Sequence, residues 1–186
     1  ISGIAISYNC IGTIYSLEGN YSVAIEYYCK SLKLHESVGE KKWVAVMHNK
    51  LGKAYIQTGD DNNSINHIKK ALSINKSIAT NSGLHVSYYQ LGYHYYNMGK
   101  FNRAYKNFIK LNTLIKNDIL NNNTQIERLT LKDRNTLRSK LYLDIINITQ
   151  KPDYHIDKEK ILNTINRYEK SLDFELNFTI YQLLED

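Results

Sequence analysis

The stretch Tyr88-x-x-Leu91-Gly92-x-x-Tyr95, followed by Gly99-x-Phe101-x-x-Ala104-x-x-x-Phe108, decides how the rest of the chain is read. Tyr88, Leu91, Gly92 and Tyr95 fall at i, i+3, i+4 and i+7, one stripe at helical period. Phe101, Ala104 and Phe108 form a second stripe at the same period. Two helices joined by a tight turn are expected. Gly92 and Ala104 stand where the pair would approach most closely, since a larger side chain there would hold the backbones apart. Gly99 lies between the stripes, where a left-handed, helix-ending residue belongs.

The pattern recurs upstream. Tyr8-x-x-Ile11-Gly12-x-x-Tyr15 leads into Gly19-x-Tyr21-x-x-Ala24-x-x-x-Tyr28, and His48-x-x-Leu51-Gly52-x-x-Tyr55 leads into Gly59-x-Asp61-x-x-Ser64-x-x-x-Ile68. Gly12, Gly52 and Gly92 are 40 residues apart, and so are Gly19, Gly59 and Gly99. The second copy is the weakest, with His48 in an aromatic slot that fits a packed core histidine better than a ligand. These residues resemble the tetratricopeptide repeat, whose signature is aromatic-x-x-Leu-Gly-x-x-Tyr, then Ala-x-x-x-Phe, then Pro. The resemblance covers roughly residues 5–118. It departs in lacking the closing Pro and in a period six residues longer than the usual ~34. Without a proline stop each second helix can run on. Long repeats of this kind are similar to those of bacterial peptide-pheromone receptors and of the sensory arms of bacterial transcription regulators and histidine kinases.

The resemblance implies an all-α, right-handed superhelix (an α-solenoid) of stacked antiparallel helix hairpins. One Pro and nine Gly in 186 residues, with no strand-like alternation, agree with an all-helical chain. Residues 1–118 divide into three hairpins at about 4–38, 43–79 and 84–118, enough for a stable array. Residues 119–186 read as a divergent fourth hairpin plus a further helix, continuing or capping the superhelix. Asn121-Asn122-Asn123 suggests a loop or a frayed helix end, and Leu129, Leu137, Leu141 and Ile145 line one side of a long helix beyond it. The chain starts at Ile1 and stops within an apparent helix, as an excised piece of a longer protein would.

Several function classes lose support. His35, His48, His67, His85, His94 and His155 show no metal-ligand spacing, and Cys10 and Cys29 are nineteen apart. The glycines punctuate hairpins and form no phosphate loop, and there is no Gly-x-Ser-x-Gly elbow. No catalytic residue, metal or cofactor is expected. The cysteines read as free thiols of a reducing cytoplasm, and no apolar run approaches the ~20 residues of a membrane span. The net charge of +6 is concentrated on residues 41–80 (+5) and 81–120 (+4), largely on second helices such as those bearing Lys69, Lys70, Lys106 and Lys110. A solvated outer face explains it, and nucleic-acid binding is a minor alternative.

What remains is a surface. Turning about 100° per residue from the packed stripe, the first helices present Asn9 and Thr13, then Asn49, Lys53 and Gln57, then Tyr89, Tyr93 and Asn97. Stacked first helices line the concave groove of such superhelices. Asn and Gln can pair with a ligand's backbone amides, the tyrosines offer flat area with a polar tip, and lysine suits a carboxylate. The expected ligand is a peptide or extended protein segment. In the subclass that clamps chaperone C-termini, Lys and Asn stand where this chain has Asn9 and Thr13, so chaperone tails are not expected. A structural arm that forms a homodimer through its C-terminal helices is the second reading.

Overall fold

The computed structural model describes residues 1–121, 139–143 and 145–147. The described residues include six consecutive helices: α1 (Ser2–Leu17), α2 (Tyr21–Ser37), α3 (Lys41–Gln57), α4 (Asp61–Ser77), α5 (Asn81–Asn97) and α6 (Phe101–Asn121). Among these residues there is no strand, and the fold is the expected all-α hairpin array. The chain divides into two compact units, residues 1–94 and 95–186.

The helices end in one repeated way. Gly19, Gly39, Gly59 and Gly99 have φ of 79°, 70°, 77° and 68°, the left-handed region, and Ala79 joins them at 51°. At each turn the left-handed residue donates its N–H to the carbonyl three back, and the next residue donates to the carbonyl five back. At the first turn these bonds are Gly19 N–H to Ser16 (3.3 Å) and Asn20 N–H to Tyr15 (2.8 Å). This pairing consumes the carbonyls that a helix end leaves open. The residue after the turn then starts the next helix. The Asn20 side chain accepts from Val23 N–H, and Asp60 accepts from Asn63 N–H at 3.0 Å. The hydrogen bonds from Asn63 hold the Asp60 carboxyl below its ordinary value. Three-residue turns between 17-residue helices therefore account for the period of 40 without any proline.

Within residues 1–94, each hairpin closes on a glycine. A Cβ on Gly12 would fall 2.8 Å from Tyr28 Cδ1, and one on Gly52 would fall 2.4 Å from Ile68 Cγ1. The bare backbone of the first helix thus receives the large side chain of the second. Ser31 Oγ adds a buried hydrogen bond to the Ala5 carbonyl at 2.8 Å. Successive hairpins join through a different face. Ala24, Tyr28 and Leu32 of α2 form one buried cluster with Val44, Met47, Leu51 and Ala54 of α3. Across the same joint, buried His35 pairs through Nδ1 with Glu40, which also accepts from Ser2 Oγ. Those hydrogen bonds, from His35 first and then Ser2, lower the Glu40 pKa.

In residues 95–186, Ala104, Phe108, Leu111 and Ile115 of α6 are buried. Tyr142 stacks on Phe108 with ring centroids 5.3 Å apart, and Ser139 Oγ donates to Asn112 at 2.7 Å. α6 runs to Asn121, beyond the expected end of the third hairpin at about residue 118 and into the first residue of the asparagine run. The expectations for residues 122–138, 144 and 148–186, including the positions of Leu129 and Leu137, lie outside the described residues. Leu141 and Ile145 are described, and both are buried within the chain.

Candidate functional site

In residues 1–94, two hydrogen bonds tie the first helices of successive hairpins to one another. Lys50 Nζ on α3 donates to Thr13 Oγ1 on α1 at 2.7 Å. Ser87 Oγ on α5 donates to Asn49 Oδ1 on α3 at 3.0 Å. Each bond joins residues nearly one repeat apart, so α1, α3 and α5 lie side by side with their expected binding rows adjacent.

The eight expected residues are not equivalent. Thr13 is half-buried and fully engaged: its hydroxyl donates to the Asn9 carbonyl at 2.8 Å and accepts from Lys50. Asn9 is half-buried, and its Oδ1 is buried without a hydrogen-bond partner. Lys53 and Gln57 are exposed. Tyr89 and Tyr93 are half-buried and stack one turn apart, with centroids 6.3 Å apart and planes 11° from parallel. Asn97, in the second unit, is exposed.

Asn49 departs from the open-face expectation, being only 6% exposed. Besides its bond with Asn49, Ser87 Oγ accepts from Asn75 Nδ2 at 3.5 Å. Asn49 therefore belongs to a polar joint between hairpins. Its row was expected to line the open groove, but a hydroxyl supplied 38 residues later satisfies the amide inside the protein.

Lys50 emerges as the residue that binds the face together. Its ammonium lies over the Tyr28 ring at 5.4 Å from the centroid, a cation–π placement. Burial pulls its pKa below the ordinary value, Cys10 opposes that shift, and Lys53 adds to it. Among the described residues no carboxylate lies within ion-pair distance of Lys50 or Lys53. The signal in the sequence was the 40-residue offset, which sets Lys50 opposite Cys10 and one turn from Thr13. Gln90 Oε1, on the α5 row, is a second buried acceptor without a partner.

Other polar clusters are structural. His48 is buried in its aromatic slot, and its Nδ1 meets His67 Nδ1 at 2.9 Å. Burial first, then His67 and Lys70, lowers the His48 pKa to about 4. Among the described residues no group of three His, Cys, Asp or Glu could hold a metal. Cys10 and Cys29 are free thiols, and burial pushes the Cys29 thiol up against the opposing effect of Lys33. No described helix is long and apolar enough to cross a membrane.

Helix hairpins stacked through repeated faces, with first helices aligned on one side, define a helical-repeat interaction scaffold. Comparison with known families gives the same answer: residues 3–77 and residues 85–118 each match the tetratricopeptide repeat, together more than half of the chain. The chain belongs to the tetratricopeptide repeat family, whose members mediate protein–protein interactions. No curated protein matches it.

Proposed function

We propose that this chain is a non-catalytic scaffold that holds a peptide or extended protein segment along the aligned rows of α1, α3 and α5. The supporting observation is the pair of bonds, Lys50–Thr13 and Asn49–Ser87, that bring these rows together. The ligand meets Lys53 and Gln57 and the edge of the Tyr89–Tyr93 stack, with Lys50, Thr13 and Asn9 at the α1 end. Two lysines without a carboxylate partner among the described residues favour a segment carrying acidic side chains or a free C-terminus. Asn49 positions the rows from behind. Asn97 extends the same helix face in sequence.

A regulatory role, in which ligand occupancy alters an attached output domain, follows from the resemblance to bacterial sensors. Self-association through the C-terminal helices has less support, because Leu141 and Ile145 are buried inside the chain.

The test uses a random decapeptide library displayed on phage and selected against the chain. Peptides selected by the wild type are expected to lose at least tenfold in affinity against Lys53→Glu and Tyr93→Ala. They should keep it against Lys69→Glu on α4. Equal binding to all three variants would remove the proposed face.

A further inference from the structure

The first two hairpins carry the same side-chain cluster at a 40-residue offset, with a change of chemistry between them. In the first, Tyr8 on α1 faces Tyr27 on α2 with ring centroids 6.0 Å apart, and Tyr15 stacks on Tyr27. Lys30 lies over both Tyr8 and Tyr27. In the second, the matching positions hold His48 and Tyr55 on α3 and His67 and Lys70 on α4. Tyr55 stacks on His67 as Tyr15 does on Tyr27. The third copy has Tyr88 and Asn107 at the two ring positions. Closing such a hairpin therefore does not require two imidazoles, since two tyrosines occupy the same places one repeat earlier.

His48 and His67 meet through their Nδ1 atoms at 2.9 Å. That contact needs a proton on one nitrogen and a lone pair on the other. Burial is the main cause that lowers both pKa values, and Lys70 adds to it at each ring. Both rings are thus neutral at pH 7, the form that ligates a metal. His48 is buried, and half-buried His67 leaves an approach from solvent. Metal–imidazole bonds of about 2.0–2.1 Å that meet at a right angle set their nitrogens about 2.9 Å apart, whereas a tetrahedral site asks for about 3.3 Å. Right-angle geometry with nitrogen and oxygen ligands belongs to copper(II) and nickel(II).

We propose that His48 Nδ1 and His67 Nδ1 form a two-histidine chelate for a divalent copper or nickel ion, which takes the place of the proton between them. That proton passes through water to Nε2 of the same ring, so both imidazoles stay neutral and the ion keeps its oxidation state. Among the described residues no third His, Cys, Asp or Glu joins the pair, and water completes the shell. The ligands are nineteen residues apart across a hairpin, a separation that no single-helix ligand motif reveals. The ion ties α3 to α4 and uses no residue of the peptide face. Lys70, whose charge acts on both rings, opposes the ion and limits its affinity.

Calorimetric titration of the full chain with nickel chloride at pH 7.5 tests this; nickel is used because the exposed Cys10 thiol would reduce copper(II). One ion per chain should bind. His48→Tyr with His67→Tyr restores the ring pair of the first hairpin. It should keep the helical circular dichroism and lose at least tenfold in nickel affinity. His67→Asn, which takes the third hairpin's residue at a half-buried position, should show the same loss should the double variant fail to fold. Lys70→Gln should gain about threefold, as a like charge near the ion is removed. Nickel affinity equal in the wild type and in a folded His67→Asn or double variant would overturn the proposal. So would the absence of saturable binding at millimolar nickel.

Discussion

Replacing Ala79 by glycine should stabilise the protein, against the usual direction for that exchange. Ala79 has φ 51° at the fourth of five equivalent turns, and the other four carry glycine. Its turn is otherwise complete: Ala79 N–H bonds the Lys76 carbonyl at 3.2 Å, and Thr80 N–H bonds that of Asn75 at 3.0 Å. The side chain is therefore the only fault. A left-handed conformation costs an L-residue about 1–2 kcal/mol. Glycine removes that strain but widens the unfolded ensemble, which costs about 0.4–1 kcal/mol. The net gain expected for Ala79→Gly is about 0.5–1 kcal/mol, or roughly 1–4 °C in Tm. The mirror exchange, Gly59→Ala, should lose about 1 kcal/mol. A Cβ there meets nothing within 4 Å, so any loss comes from the backbone alone. Urea unfolding followed by circular dichroism at 222 nm measures both. A destabilised Ala79→Gly, or a neutral Gly59→Ala, would refute the assignment of strain to these turns.

Gly52→Ala should destabilise by about 1–3 kcal/mol through overpacking against Ile68, and Gly52→Ala with Ile68→Val should recover part of that loss in the same unfolding assay. Ser87→Ala leaves Asn49 Oδ1 buried without its donor, an expected loss of about 1–3 kcal/mol in urea unfolding. Burial keeps His48 neutral in the folded state down to about pH 4, whereas the unfolded chain takes up its proton near 6.5. Stability should therefore be flat above pH 6.5 and fall as pH drops towards 4, because the unfolded state binds more protons in that window. Unfolding free energies measured at steps from pH 7.5 to 4.5 check this, and His48→Gln should flatten the slope.

The hairpin scaffold was legible because its strongest constraints are steric and tied to particular residue types. Gly12 and Gly52 admit Tyr28 and Ile68 at separations no Cβ allows, and Gly19, Gly59 and Gly99 occupy a backbone region that favours glycine. Ala79 was not legible as a turn, since alanine carries no turn signature and is tolerated there only because the surrounding bonds hold it. α3 and α5 begin at Lys41 and Asn81, two residues after the left-handed Gly39 and Ala79 and ahead of the first apolar residue, which hydrophobic spacing does not mark. The site was legible in outline only. Spacing placed Asn9, Asn49 and Tyr89 on one row, but spacing does not report depth. Whether Asn49 faces water or a neighbouring helix depends on Ser87, a residue unremarkable in itself. Lys50 became prominent only once α1 and α3 were adjacent, because its hydroxyl partner comes from another repeat.

Photo-crosslinking of a library-selected peptide tests the central claim most directly, with the crosslinking side chain placed either at position Gln57 on α3 or at position Lys69 on α4, both exposed. The peptide should be captured from position 57 and not from position 69. Capture from position 69 alone would place the ligand on the second helices and contradict the account.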